Sequence, residues 1–355
     1  MHTAETAVGG VGSYIEFLCS ATHEVNNIAL LPESKTQLVK PTKQIFLFPR
    51  KRRGLKAIFA HCRSVLRLYK QEKPDIVFFH STFSLAPLMM LRVLRPGAKT
   101  IFCAHGWAVS QYELKGAFIA RVVAFVEGTL SGCADRTINI SQHDMTLART
   151  RGYRGHHRLV ENAVPDLPPK MSTADHGFDP EKLNLLFVGR HDTQKGLDIL
   201  LDAFAEAFKT RKDIELYVVG ASVRTSETTT NQQAGVIYSG WVNPEDIDSW
   251  YASADAIIVP SRWEGFGLVV AEAMRNGTPA LVSNRGALPD LVEPGKTGDV
   301  FDLTTKALAE MLEKCRKSDL RAQSKACREV YQERFSIDRF GKAMNGIYAE
   351  ITNDE

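Results

Sequence analysis

Cysteine is sparse in this sequence. The six cysteines stand alone, with no Cys-x-x-Cys pair and no Cys/His cluster of zinc-ligand spacing. This excludes a disulfide scaffold and favours reduced thiols in the cytoplasm. The first ten residues, MHTAETAVGG, contain neither a basic nor an apolar segment, so we expect no secretory signal.

Long hydrophobic runs are also missing. The most apolar stretch, 116–130, is interrupted by Arg121 and Glu127. It is shorter than the roughly 18–20 apolar residues that cross a bilayer. We therefore expect a cytoplasmic protein that is at most peripheral at the inner face of the cell membrane. The composition, 44% apolar and 24% charged, excludes disordered and fibrous chains.

The net charge of +3 hides a contrast between the two halves of the chain. Residues 1–165 carry 22 Lys and Arg against 11 Asp and Glu, whereas the remainder carries 22 against 30. A basic first half favours an anionic neighbour, which could be phospholipid or nucleic acid.

Short apolar runs alternate with amphipathic stretches along the chain. Runs such as Ile45–Phe48, Leu183–Gly189 and Ala256–Pro260 contain four to seven residues, as is typical of parallel strands buried on both faces. Between them, apolar residues recur every three or four positions, as at Leu197, Leu200 and Phe204. Alternating strands and helices predict two doubly wound α/β domains.

A proline-rich segment separates the two predicted domains, because proline fixes φ and lacks a hydrogen-bond donor. We place the first domain at 1–165, the linker at 166–182, the second domain at 183–333 and a terminal helix at 334–355. Only Met1–Thr6 are available for a strand ahead of the first Gly-rich turn, Gly9-Gly10-Val11-Gly12. Either the first strand is very short or the true start of the chain lies upstream.

The segment 260–284, PSRWEGFGLVVAEAMRNGTPALVSN, carries most of the chemical information. A buried strand ends at Pro260, and a Gly-containing turn then opens a helix that Gly277 stops. Such a turn leaves amide groups free at a helix N-terminus, where anions and polar oxygens bind. Glu264 lies at the mouth of the turn, and Glu272 follows eight positions later. The alternative is a capped crossover helix with two surface carboxylates.

A second segment, 185–201, places Arg190 and Lys195 in the loop between a strand and a helix. Ligands of open α/β sheets bind at the carboxyl ends of the strands, and two cations there suit a diphosphate. On their own, two solvated loop cations would be the simpler interpretation.

Together these segments resemble the family 4 retaining glycosyltransferases, which have the GT-B fold and a Glu-x₇-Glu motif. The resemblance implies two Rossmann-like domains facing across a cleft, with the C-terminal helix crossing back to the N-domain. It implies that Arg190 and Lys195 neutralise the leaving diphosphate, that Glu264 holds the donor sugar and that Glu272 holds the ribose. The remaining implied donor contacts lie in the turn: Gly265, Phe266, Gly267 and Leu268.

In the first half, the resemblance extends to two weaker features. The turn Gly9-Gly10-Val11-Gly12 is neither a dinucleotide fingerprint nor a P-loop, but it resembles the family's glycine loop. Gly9 and Gly10 would then face the donor. His105, after a predicted strand, matches a His-Gly that the family has near the reacting sugar. A lone histidine at a strand end is otherwise more often structural.

Asp246 and Asp248 fit the Asp-x-Asp pattern that binds a divalent metal in other glycosyltransferases. They follow Asn243 and Pro244, an arrangement typical of a helix start. We therefore expect no catalytic metal and no cofactor other than the nucleotide-sugar co-substrate, UDP- or GDP-linked.

Arg50, Lys51, Arg52 and Arg53 form a basic run ahead of an amphipathic helix at 54–70. Such a run gains about 1 kcal/mol per cation near anionic lipid. We interpret it as membrane-facing, with a solvated face as the alternative. Nucleic acid is disfavoured because Phe59 and Tyr69 fall on the apolar side of the helix, where they cannot stack on bases.

These features favour a retaining hexosyltransferase that needs no metal and acts on a lipid-linked glycan in bacterial surface-polysaccharide assembly. One alternative is a GT-B transferase with a small soluble acceptor, and another is a GT-B nucleotide-sugar epimerase. A non-catalytic nucleic-acid binder is the remaining alternative.

Overall fold

The computed structural model describes residues 1–7, 9–33, 44–50, 54–113, 116–167, 176–221 and 233–353. The chain divides into two compact units, one made of Met1–Ala163 with Ile337–Glu355 and the other of Val164–Ser336. The division after Ala163 falls two residues before the predicted end of the first domain. Within the predicted linker, 168–175 lie outside the described residues.

The first unit contains a parallel sheet with strand order β3-β2-β1-β4-β5-β6-β7 over the described residues. Its strands are β1 His2–Ala4, β2 Ile28–Pro32, β3 Gln44–Phe48, β4 Ile76–His80, β5 Lys99–Cys103, β6 Arg136–Asn139 and β7 His157–Leu159. Its helices are α1 Gly10–Ala21, α2 Leu55–Glu72, α3 Leu85–Leu94, α4 Ala108–Tyr112, α5 Ala117–Leu130 and α6 Gln142–Thr150.

The second unit repeats this plan with strand order β10-β9-β8-β11-β12-β13. Its strands are β8 Leu183–Val188, β9 Ile214–Val219, β10 Val236–Gly240, β11 Ala256–Val259, β12 Ala280–Ser283 and β13 Gly298–Phe301. Its helices are α7 Leu197–Thr210, α8 Ile247–Ser253, α9 Leu268–Arg275, α10 Thr305–Lys314, α11 Lys317–Ala322 and α12 Ser324–Val330. The predicted α/β class with two doubly wound sheets is confirmed.

The strand interiors explain why the runs are apolar. The central strands of each sheet are buried on both faces: Leu185 and Leu186 on β8, neighbours on opposite faces, are both fully buried. β1 has three residues, as short as expected. The sequence analysis missed two strands, β2 and β13. β13 has only four residues and includes Asp299, so it does not form an apolar run.

A last helix, α13 Ile337–Asn353, follows a π-helical turn at Tyr331–Phe335 and belongs to the first unit. It packs on α1, where Gly341 permits close approach: a Cβ there would lie 2.6 Å from the carbonyl oxygen of Ala21. Phe340 and Met344 are buried on the same helix. No helix in the described ranges is long and apolar enough to span a bilayer.

Candidate active site

In the second unit, the loop after β8 lies against the loop after β11. The ammonium of Lys195 donates a hydrogen bond to Glu264 Oε1 at 2.5 Å, and Ser261 Oγ donates to the same oxygen at 2.9 Å. The exposed fractions of the Lys195 and Glu264 side chains are 18% and 9%. The structure thus joins two residues that are far apart in sequence into one partly buried ion pair.

Backbone contacts hold these two loops together. Gly196 has φ of 68°, and a Cβ there would lie 2.0 Å from the carbonyl oxygen of Pro260. The Arg262 amide donates to the carbonyl of Gln194 at 2.8 Å, and the Gln194 side chain donates to the carbonyl of Trp263 at 3.1 Å. The position of Lys195 relative to Glu264 is therefore fixed by the backbone as well as by charge.

The turn before α9 presents backbone amides. Among the described residues, none accepts a hydrogen bond from the amides of Gly265, Phe266 or Gly267. The Phe266 ring is buried against Phe335, with ring centroids 5.7 Å apart, so only its backbone is available. Leu268 is half-buried at the start of α9. This turn has the features of a helix N-terminal site for polar or anionic oxygens.

Glu272 lies on α9, the helix that this turn opens. Its Oε2 accepts a hydrogen bond at 2.8 Å from the hydroxyl of Tyr251, a buried residue of α8. Burial raises the pKa of Glu272, while the Tyr251 hydrogen bond and the charges of Arg275 and Lys195 act in the opposite direction. Lys195 therefore acts electrostatically on both glutamates of the motif.

Arg190 is exposed, unlike Lys195 in the same loop. Its guanidinium lies 3.1 Å from Asp192 and donates to Gln194 at 3.3 Å, and the side chain is 53% exposed. The Asp192 carboxylate in turn accepts from the Lys195 amide at 3.2 Å. Arg190 and Lys195 thus share one loop, with Lys195 anchored and Arg190 accessible at the surface.

The predicted helix start at Asn243 is wrong in detail. Residues 244–246 form a turn, α8 begins at Ile247, and Asp246 is the N-cap without a side-chain cap bond. Asp248 is buried, not solvated: its Oδ1 pairs with Arg275 at 2.5 Å and accepts from Asn276 at 2.7 Å. This aspartate has a structural role that links α8 to α9.

In the first unit, the glycine turn does open a helix. Gly9 is the N-cap of α1 with φ of 68°, a conformation that favours glycine, and Gly10 begins the helix at the surface. His105 follows β5, half-buried, with a positive φ of 60°. Its ring meets the ring of Tyr14 edge-on at 4.6 Å. Positive φ in a non-glycine residue indicates a backbone held by its surroundings.

Two buried carboxylates hold the chain that follows His105. Glu127 accepts hydrogen bonds from the amides of Ala108 and Val109, at 3.0 and 3.1 Å, and from the Thr82 hydroxyl at 2.6 Å. Asp144 accepts from the backbone around Trp107. Burial raises the pKa of Asp144 to about 7 and also raises that of Glu127. Sequence analysis did not identify either carboxylate, since both are remote from His105 in sequence.

The membrane-facing interpretation of Arg50 is wrong. Arg50 is 7% exposed, pairs with Glu5 and donates to the carbonyl oxygen of Glu5 at 2.5 Å. A guanidinium beside a buried carboxylate is stabilised there more than it would be on the surface, which explains its inward position. The other members of the basic run, 51–53, lie outside the described residues.

Comparison with known proteins gives family matches in both units of the chain. Residues 10–163 match the family described as Glycosyl transferase 4-like domain, and residues 171–331 match Glycosyl transferases group 1. A relative from Klebsiella pneumoniae, an uncharacterized 41.2 kDa protein in the cps region, is 27% identical over 99% of this chain and 98% of its own length. Further curated relatives match over 30% to 54% of their own length.

Two solved structures share the fold over nearly the whole chain. Sucrose-phosphate synthase from Thermosynechococcus elongatus has a TM-score of 0.84 at 19% identity, covering 100% of this chain and 99% of that one. Anabaena HepE, in complex with UDP and glucose, has a TM-score of 0.77 at 16% identity, covering 98% of each chain. Since glycosyltransferase family models match residues 10–163 and 171–331, the chain belongs to the group 1 glycosyltransferases and has the GT-B fold.

Proposed function

We propose that this glycosyltransferase uses a nucleotide-diphosphate sugar and retains the anomeric configuration. The observation that carries the proposal is the Lys195–Glu264 ion pair beside a turn with free amides. A diphosphate leaving group gains negative charge in the transition state, and preorganised cations and amides stabilise that charge. The HepE structure, solved with UDP and glucose, supports a donor of this class.

Each residue has a distinct role in the proposed reaction. Arg190 and Lys195 bind the diphosphate, Glu264 and the amides of 265–267 orient the sugar hydroxyls, and Glu272 accepts hydrogen bonds from the ribose. The bond between the anomeric carbon and the diphosphate oxygen breaks, and a bond to the acceptor oxygen forms on the same face. The acceptor proton passes to a phosphate oxygen of the leaving group, so the reaction needs no carboxylate nucleophile.

For the acceptor we propose a lipid-linked glycan of surface-polysaccharide assembly. The Klebsiella relative lies in a cps region. The first unit also exposes an apolar patch on α5, which we call the α5 patch: Phe118, Val122 and Phe125 are 78%, 49% and 73% exposed. Arg121 is exposed on the same helix. An apolar surface within a basic half suits the anionic face of a membrane.

The α5 patch makes the membrane proposal testable without the basic run. We expect Phe118→Ser with Phe125→Ser to weaken binding to phosphatidylglycerol vesicles about tenfold or more, because two exposed rings lose their burial in lipid. The matched control is Val93→Ser, since Val93 is 71% exposed on α3. Equal binding by the double variant and the control would remove lipid docking from the proposal.

A soluble acceptor is the second candidate, favoured by the likeness to sucrose-phosphate synthase. The two candidates separate in a transfer assay with a radiolabelled nucleotide sugar. Label that moves into an organic-extractable product supports the lipid-linked acceptor. Label that moves only into a water-soluble sugar or sugar phosphate supports the soluble one.

A further inference from the structure

Four side chains of the first unit form a continuous hydrogen-bonded chain that ends at His105. Asn27 Oδ1 lies 3.0 Å from His2 Nε2, His2 Nδ1 lies 3.2 Å from His80 Nε2, and His80 Nδ1 lies 3.0 Å from His105 Nε2. Asn27, His2 and His80 are buried. We call this chain the histidine relay. His2 begins β1, His80 ends β4, His105 follows β5, and Asn27 directly precedes β2.

The orientation of the Asn27 amide is fixed by its neighbours. Its Nδ2 donates to the Thr22 carbonyl oxygen at 3.3 Å and to Thr22 Oγ1 at 3.2 Å. The Thr22 hydroxyl itself donates to the carbonyl of Leu18 at 2.7 Å, so its oxygen is left as an acceptor. With both contacts of Nδ2 being acceptors, the other atom of the amide facing His2 must be oxygen.

That single orientation determines every proton along the relay. Since Asn27 Oδ1 only accepts, His2 must carry its proton on Nε2 and present a lone pair at Nδ1. His80 then donates from Nε2 and accepts at Nδ1, and His105 donates from Nε2. A neutral imidazole has one donor and one acceptor nitrogen, so each link fixes the next.

The argument requires neutral rings, and burial provides them. Desolvation lowers the pKa of His2 and of His105 to about 3 each, and it holds the pKa of His80 well below its ordinary value. The positive charges that His2 or His105 would carry also disfavour protonation of His80. At neutral pH each ring therefore holds one proton.

We infer that the histidine relay locks His105 in the Nε2–H tautomer and leaves its Nδ1 as a hydrogen-bond acceptor for a ligand hydroxyl. Among the described residues, Nδ1 of His105 has no hydrogen-bond partner. A lone pair there accepts from a sugar hydroxyl and repels a phosphate oxygen. Asn27, His2 and His80 are positioning residues, and the ligand assignment rests on the proposed glycosyl transfer.

The tautomer can be read directly in the full-length protein without substrate. In the protein with ¹⁵N-labelled histidine, we expect His105 to show a protonated Nε2 and an unprotonated Nδ1. Couplings across the hydrogen bonds should join His105 Nε2–H to His80 Nδ1, and His80 Nε2–H to His2 Nδ1. A proton on His80 Nδ1, or His105 protonated at Nδ1, would overturn the inference.

The positioning role is tested by a pair of substitutions at His80. His80→Leu removes the acceptor for His105 Nε2–H, and we expect kcat to fall about tenfold, as for other groups that orient a functional residue. His80→Asn places an oxygen near the former Nδ1, and we expect kcat within about threefold of wild type. The exposed His23 supplies the control, as His23→Asn. If folded His80→Leu matches wild type, or if folded His80→Asn fails to restore kcat, the positioning role is wrong.

Failure of the relay and failure of the proposed function give different results. UDP and GDP titrations test the donor residues of the second unit, whereas the tautomer measurement involves neither nucleotide nor sugar. A spectrum with Nε2–H at His105 supports the relay even if neither nucleotide binds. Tight nucleotide binding together with Nδ1–H at His105 would overturn the relay and leave the donor site intact.

Discussion

The two units organise their candidate site residues in different ways. In the second unit, the residues that face the proposed donor are charged: Lys195 pairs with Glu264, and the free amides of the turn lie beside them. In the first unit, His105 is neutral and belongs to a chain of neutral rings. Charges occur there too, but as the buried carboxylates Glu127 and Asp144 that hold the backbone.

In the proposed reaction, this contrast corresponds to two different tasks. A leaving diphosphate carries full negative charges, so cations and amide dipoles stabilise it most. A sugar hydroxyl is neutral, so a single neutral acceptor of defined orientation can bind it. Desolvating a neutral acceptor costs less free energy than desolvating a charged one. The predictions below test this division, starting with the largest expected effect.

Replacing Lys195, the cation that pairs with Glu264, should have the largest effect on activity. We expect Lys195→Ala to reduce kcat/KM for sugar transfer about 10²-fold or more, as for loss of one preorganised transition-state partner worth about 2.7–4 kcal/mol. Arg190→Ala should act in the same direction. Lys306→Ala is the control, since Lys306 is 87% exposed on α10. Near-normal kcat/KM in the Lys195 and Arg190 variants would remove this loop from the mechanism.

The buried carboxyl group of Asp144 should make the stability of the protein depend on pH. The pKa of Asp144 is raised to about 7, so the folded state binds this proton more tightly than the unfolded state. The resulting stabilisation is complete below about pH 4, the ordinary range of Asp, and is lost as pH rises to about 7. Between pH 5 and 8 this corresponds to about 2–3 kcal/mol of unfolding free energy.

Asp144→Asn cannot ionise, so we expect its unfolding free energy to approach or exceed that of wild type as pH rises from 5 to 8. The comparison uses the difference between the two proteins in denaturant titrations. That difference cancels the opposite trend from His2 and His105, whose lowered pKa values favour stability at higher pH. A difference that does not change with pH would show that Asp144 ionises normally in the folded protein.

The proposed donor turn could be recognised as a candidate because its residues are close together in sequence. Glu264 and Glu272 lie in one turn and the helix it opens, and Arg190 and Lys195 lie in one loop. The alternation of strands and helices also followed from apolar periodicity, except for β2 and β13. A short spacing within one turn or helix constrains geometry strongly, so the sequence analysis could propose these residues as candidates before the fold was known.

The histidine relay was not predictable, because its members are distant in sequence. His2, Asn27, His80 and His105 meet only through the parallel pairing of β1 with β2 and β4 and of β4 with β5. The prediction for Arg50 failed for a related reason. A run of four basic residues is usually solvent-exposed, but the first of them forms a buried ion pair with Glu5, which is distant in sequence. Long-range pairing of this kind leaves no local pattern.

Substitutions of Glu264 and Glu272 should distinguish contacts to the donor sugar from contacts to the nucleotide. We expect Glu264→Gln to depress sugar transfer far more than binding of the bare nucleoside diphosphate. Glu272→Gln should weaken binding of the nucleotide itself about 10- to 100-fold, since charge-assisted hydrogen bonds contribute about 1.5–3 kcal/mol. Titration of both variants with UDP, GDP and the intact donor decides. Equal, small effects on all ligands would refute the donor assignment of this turn.

The smallest expected effect is that of replacing Tyr251, whose hydroxyl contacts Glu272. The Tyr251 hydroxyl donates to Glu272 at 2.8 Å and lowers its pKa, against the rise that burial causes. Tyr251→Phe should therefore raise the pKa of Glu272 further and weaken nucleotide binding about fivefold, as for loss of a hydrogen bond worth about 1 kcal/mol. The loss should grow as pH falls, because more Glu272 becomes protonated. Phe178→Leu, at an aromatic neighbour of Tyr217 rather than of Glu272, is the control for altered packing. Weakening that is the same at pH 5 and pH 8 would mean that Tyr251 acts on the site through packing alone.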